Sequence, residues 1–120
     1  METTSRWNPY SADCPTRVVL DRIADKWTVL VIGLLAEKPT RFNQLRKQVD
    51  GLSQKVLTKV LRGLEADGMV SRTVFPTVPV TVEYALTPLG RSLGQTLDPV
   101  RRWAEENIEA ILEARRQPLQ

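Results

Sequence analysis

The 120 residues carry 17 Lys and Arg against 14 Asp and Glu, a formal charge of +3, with 42% hydrophobic and 26% charged side chains. That is room for one soluble domain with a real core and not for two, and so small a basic excess says little by itself about a partner. With no histidine and a single cysteine, the chain lacks the usual general base, cannot close an internal disulfide and cannot assemble a thiolate zinc site, so neither an enzyme nor a cofactor or metal is expected.

Residues 1–13 lack the apolar stretch of a signal peptide and read as an N-terminal arm, with Trp7 and Tyr10 as its expected anchors. Cys14-Pro15 opens a first helix, proline being suited to the first helical position. Val18, Val19 and Ile23 give that helix an apolar face. Asp25 is placed to cap a second segment through Trp27, Leu30, Val31, Leu34 and Leu35. Its β-branched content also fits a buried strand, and periodicity does not separate the two readings. The length of residues 27–36 and the stop at Pro39 favour a helix. That run, the longest apolar one, falls short of the ~20 residues that span a bilayer, so no membrane is expected as a partner.

Thr40 is expected to cap a third helix with Phe42, Leu45 and Val49 on its inner side. Asp50-Gly51-Leu52 turns the chain, and Ser53 caps a fourth helix. There Leu57, Val60, Leu61 and Leu64 fall at i, i+3, i+4 and i+7, one buried seam. At ~100° per residue Lys55, Lys59 and Arg62 gather on the opposite side. Between positions 41 and 72 seven basic residues face three acidic ones, a net +4 that exceeds the charge of the whole chain. A leucine-anchored helix with outward cations behind a Gly-containing turn is built to enter a DNA major groove. A merely solvated charged face is the plainer alternative.

Gly68 ends the helix where φ turns positive. Residues 69–75 and 80–86 are rich in valine, threonine and aromatics, and Pro76-Thr77-Val78-Pro79 joins them as a hairpin tip. Thr87-Pro88 then starts a last helix. Leu89, Leu93, Leu97, Val100, Ala104, Ile108 and Ile111 form a long stripe along it, and Pro99 is expected to kink it or, with Asp98 as a new cap, to split it. Nothing further in the chain covers that stripe, which calls for a partner surface such as a dimer. The expected fold is mainly α with a small β-hairpin wing, a winged helix-turn-helix. Its divisions are an arm at 1–13, the domain at 14–114 and a tail at 115–120.

These elements in this order resemble the HxlR-type, MarR-like family of bacterial winged helix-turn-helix transcriptional regulators. The resemblance rests on Cys14-Pro15, Lys26-Trp27, Arg41-Phe42-Asn43-Gln44-Leu45 and Leu52-Ser53-Gln54-Lys55. It continues through Leu61, Leu64-Glu65-Ala66-Asp67-Gly68, Val82-Glu83-Tyr84, Leu86-Thr87 and Gly90. It implies a cytoplasmic, nucleoid-associated homodimer, joined through the first and last helices, that binds inverted-repeat operators in double-stranded DNA. Two departures stand out: Ala24-Asp25 replaces a common Gly-Gly pair, and Val80-Thr81 replaces a wing-tip proline and cation. The second shifts expected DNA contact from the wing toward the helix.

The expected DNA-binding set is Ser53, Gln54, Lys55, Thr58, Lys59 and Arg62, with Arg41 and Asn43 on the supporting helix and Thr77 at the hairpin tip. Gln54, Lys55 and Thr58 lie near the helix N-terminus, the part that reaches base edges. Lys59 and Arg62 are placed for phosphates, which set register and affinity rather than sequence choice. Trp27 and Trp103 read as core or dimer-interface aromatics.

Some family members sense oxidants or electrophiles through a cysteine at the start of the first helix, and Cys14 matches that position. A helix start favours the thiolate, the species such reagents attack. Any disulfide would join two subunits or capture a small thiol, with sulfenic acid or alkylation as other outcomes. The alternative is a small inert side chain packed on the core. Two rival classes remain: a metabolite-gated regulator of the same fold, with its ligand between the last helix and the core, and a protein-interaction winged helix that binds no DNA.

Overall fold

The computed structural model describes residues 6–118. The first five positions of the expected arm and the last two of the expected tail lie outside the described residues. Residues 6–13 turn back on themselves: the Ser11 amide donates to the Asn8 carbonyl at 3.0 Å, and the Cys14 amide to the Ser11 carbonyl at 3.1 Å. Tyr10 is not the anchor expected from its ring, which is 90% exposed. Arg17 holds this turn instead, donating from Nε to the Pro9 carbonyl at 2.9 Å and from Nη2 to the Tyr10 carbonyl at 3.2 Å.

α1 spans Thr16–Ile23, with Pro15 at the N-cap rather than at the first helical position. Its φ of −61° suits either place. α1 contributes no fully buried residue: of its expected apolar face Val18 and Val19 stand exposed together with Leu20, while Ile23 packs half-buried on the core. α2 spans Lys26–Glu37. Asp25 Oδ1 accepts the Trp27 amide at 3.0 Å, which satisfies one orphan donor of the first turn. The helix stops at Lys38, extended at φ −170° as residues before proline prefer. The helical reading of 27–36 therefore holds.

Thr40 corrects the expectation. It caps nothing: it forms, with Arg41, a two-residue strand β1 (Thr40–Arg41), is buried, and donates its hydroxyl to the Lys38 carbonyl. Arg41 occupies the N-cap of α3 (Phe42–Gln48), with no side-chain cap bond. Gly51 at φ +82° turns the chain, and α4 follows as Gln54–Ala66. Ser53 Oγ accepts the Val56 amide at 3.1 Å. β2 (Val70–Phe75) and β3 (Thr81–Leu86) form the hairpin, and β1 adds to its far side, giving an antiparallel sheet ordered β1-β3-β2. Tyr84 is the centre of the register, opposite Thr40 on one side and Arg72 on the other.

α5 runs unbroken over Pro88–Arg116. Pro99 does not split it, and Asp98 caps nothing. Asp98 instead pairs with Arg101 at 2.9 Å and Arg102 at 3.0 Å, and Arg101 pairs onward with Glu105. These side-chain links bridge the turn in which proline has no amide to donate.

The core is a single cluster of Val31, Ile32 and Leu35 from α2, Leu45 from α3, Leu57, Val60, Leu61 and Leu64 from α4, Tyr84 and Leu86 from β3, and Leu97 from α5, with neighbouring side chains. Each such aliphatic residue contributes about 1.5–3 kcal/mol on burial. The recognition-helix candidate is thus clamped along its whole inner seam.

Candidate nucleic-acid interface

Burial of Leu57, Val60, Leu61 and Leu64 fixes the rotation of α4. That rotation leaves Gln54, Lys55, Thr58, Lys59 and Arg62 lining one shallow outer surface. Thr58 is half-buried and the other four are exposed. None of the ion pairs among the described residues involves Lys55, Lys59 or Arg62. Their charge is directed outward, uncompensated, as a polyanion surface needs.

Asn43 and Ser53 meet on a second concave surface around the turn, and Arg46, Lys47 and Asp50 join them there. In the sequence Arg46 and Lys47 stand out only through the charge balance. Their position in the last turn of α3, next to the Gly51 turn, was the available signal. Ser53 has its oxygen engaged in capping α4. Arg41 lies over the Phe75 ring, 6.0 Å from guanidinium carbon to centroid, so it reaches toward the wing.

Thr77 is not brought onto the α4 surface. Its hydroxyl is within 2.8 Å of the Pro79 carbonyl and 3.2 Å of Thr81 Oγ1, and these bonds close the hairpin tip. No Lys or Arg occurs at positions 73–82, while Val74, Val78 and Val80 are exposed. The wing tip is apolar and uncharged.

Cys14 sits just ahead of α1 and is only 9% exposed. Its Sγ lies 3.0 Å from Thr16 Oγ1. The Thr16 hydroxyl, as donor to the ionised sulfur, lowers the thiol pKa from its ordinary value. Partial burial opposes that shift, and the amides of Thr16 and Asn8 and the Arg17 charge add to it.

Two further surfaces matter. Val18, Val19 and Leu20 on α1, and Leu89, Val100, Trp103, Ile108 and Leu112 on α5, leave apolar area uncovered in the single chain. Trp27, by contrast, packs half-buried against the core. A groove also runs along the junction of α2 and α5, with Ile32, Gly33, Gly94 and Leu97 in its lining. Its rim mixes Arg91 and Arg101 with Glu37 and Asp98, a balanced charge that selects no ligand sign. Among the described residues no cluster of Cys, Asp and Glu could hold a metal ion, and no helix is long and apolar enough to cross a membrane.

The model of the HxlR-like helix-turn-helix matches residues 22–112. The HTH-type transcriptional regulator YtfH of Escherichia coli is 38% identical over 108 residues, covering 90% of this chain and 86% of that protein. The solved structure of the transcriptional regulator YtfH from Salmonella typhimurium is 36% identical, with a TM-score of 0.88, and covers 93% of this chain and 100% of that one. The redox regulator HypR, solved in its reduced form, is likewise 36% identical with a TM-score of 0.74, covering 82% and 98%.

Proposed function

The chain belongs to the HxlR-like helix-turn-helix family of transcriptional regulators, and on that premise we propose that it acts as a homodimer on an inverted-repeat operator in double-stranded DNA, with α4 as the recognition helix. One observation carries the proposal: three unpaired cations, Lys55, Lys59 and Arg62, share a single outer surface with Gln54 and Thr58 above a fully buried leucine seam. A helix so anchored enters the major groove as a rigid body.

In this reading Gln54, Lys55 and Thr58 meet base edges, and Lys59 and Arg62 hold phosphates. Asn43, Ser53, Arg46 and Lys47 line the flanking backbone at the helix-turn-helix entrance, and Arg41 holds the wing side. Thr77 supports the shape of the tip more than it touches DNA, since its hydroxyl is engaged. The uncovered apolar residues of α1 and α5 form the dimer seam, which sets two α4 helices about one DNA turn apart, or a multiple of it.

Cys14 is the proposed control point. Its thiol pKa is lowered at geometry that favours the thiolate, and a related structure is a redox regulator. Oxidation or alkylation there alters the seating of α1 and with it the spacing of the two reading helices.

Genomic fragments retained by the reduced protein, sequenced with and without diamide, test this reading. Fragments with dyad-symmetric sites that are lost or changed on oxidation support it. A Cys14→Ser protein that answers diamide as the parent does removes the sensing role. Absence of any salt-sensitive retention of DNA removes the whole proposal. Dimerisation is checked by light scattering, where Trp103→Asp is expected to yield a folded monomer because the ring is 59% exposed in one chain.

A further inference from the structure

Two residues, one inside α4 and one at its end, work against that helix. Gly63 lies in its interior, where glycine is a poor helix former. Asp67 lies at its C-cap, where a negative charge opposes the helix dipole. Arg22, one residue from the end of α1, accounts for both. Its Nε donates to Asp67 Oδ2 at 2.7 Å, so a guanidinium neutralises the misplaced carboxylate. Its planar head lies flat on α4 at Gly63: a Cβ there would fall 2.5 Å from Nη1, 2.7 Å from Cζ and 2.8 Å from Nη2. Only a residue without a side chain leaves room for that approach. Both groups are roughly two-thirds or more buried, with side chains 31% and 27% exposed.

α1 has no fully buried residue of its own and Ile23 packs half-buried on the core, so this tie is the polar fastening that joins its C-terminal end to the recognition helix. We propose that Arg22 is a positioning residue for DNA reading: through Asp67 and Gly63 it fixes the angle between α1 and α4, and thereby the separation of the two α4 helices in the dimer. The inference rests on the dimeric DNA-binding reading above. It adds that half-site spacing is set inside each protomer by the Arg22–Asp67–Gly63 contact, and not by the dimer seam alone.

The test uses full-length protein and duplexes selected from a random pool by the parent, rebuilt with one half-site or with two half-sites at stepped spacings. Arg22→Gln removes the charge, and Gly63→Ala drives the guanidinium off while improving helix propensity, so lost folding does not explain its effect. In both variants the preference for the selected spacing is expected to fall by about tenfold, within the usual range for coupling between two sites. Single half-site affinity is expected to be unchanged, and Arg22→Lys is expected to recover part of the preference.

An independent readout is the distance between nitroxides on Glu65→Cys in a Cys14→Ser dimer, whose distribution broadens when Arg22→Gln or Gly63→Ala is added. Folded variants that keep the parent's spacing preference and distance width overturn the inference. So does an equal loss of half-site and two-site binding, which marks Arg22 as merely structural. A parent that is monomeric or binds no duplex overturns the underlying reading instead.

Discussion

The hydroxyl of Thr87 donates to the Gly68 carbonyl at 2.6 Å and accepts the Gly90 amide at 3.1 Å. One side chain therefore clasps the turn after α4 and caps the helix that follows the hairpin. The Gly90 site completes the clasp, because a Cβ there would lie 1.9 Å from the Met69 carbonyl oxygen. Thr87→Ala removes a cap of about 1 kcal/mol and a hydrogen bond of about 1 kcal/mol. The expected fall in melting temperature is roughly 8 °C for a domain of this size, with Thr87→Ser close to the parent. Gly90→Ala is expected to be worse, at about 3 kcal/mol or more, since backbone stands in the way and no rotamer relieves it.

Core and wing give opposite outcomes for the same chemistry. Leu57 is completely buried and Val78 stands wholly in solvent. Leu57→Ala is expected to cost about 2–5 kcal/mol, while Val78→Ala stays within about 0.5 kcal/mol of the parent. Urea titration followed by circular dichroism measures both.

The outer cations of α4 predict a salt signature. Lys55→Ala, Lys59→Ala and Arg62→Ala leave the fold intact, because all three side chains are exposed and unpaired. Each that touches phosphate is expected to lower the slope of log affinity against log salt by about 1. A base-contacting residue instead relaxes sequence choice at one position. Fluorescence anisotropy over a salt series separates the two classes, and the triple variant is expected to bind promoter DNA far more weakly.

Cys14 supplies a pH prediction whose sign follows from its pKa. The lowered value means that the reactive thiolate appears at lower pH than for the same thiol without these neighbours. Alkylation by iodoacetamide is therefore expected to rise through a midpoint below that of an unperturbed cysteine side chain. Thr16→Val removes the principal cause and is expected to move the midpoint upward, slowing alkylation at pH 7. A midpoint unmoved by Thr16→Val rules out the hydroxyl as the cause.

Much of this architecture is written locally. Asp25, Ser53 and Thr87 act as caps, and Gly51 and Gly68 take the positive φ that their turns demand. The leucine seam of α4 gave both its burial and the residues on its outer side. What escaped is what depends on distant partners. β1 is two residues long, and its pairing with Tyr84 is decided by tertiary placement, so Thr40 looked like an ordinary cap. Pro99 looked like a break because the Asp98–Arg101 and Asp98–Arg102 links across it form only once the helix exists. Val18 and Val19 were legible as an apolar face, but such a face does not announce whether its cover is its own chain. Arg22 carried no signal at all, since its two partners lie more than forty positions away.

The ring of Trp27 comes within 3.7 Å of where a Gly51 side chain would begin, and the Lys26 ammonium lies 4.7 Å from its centroid. An indole is thereby stationed at the pivot of the helix-turn-helix, while Trp7 and Trp103 stand in more open surroundings. The molecule thus carries an intrinsic optical gauge. The blue-shifted part of its emission is expected from Trp27 and the quencher-accessible part from Trp7 and Trp103, so, on the proposed reading, DNA at the turn and pairing through α5 are expected to register as separate spectral changes without any added dye.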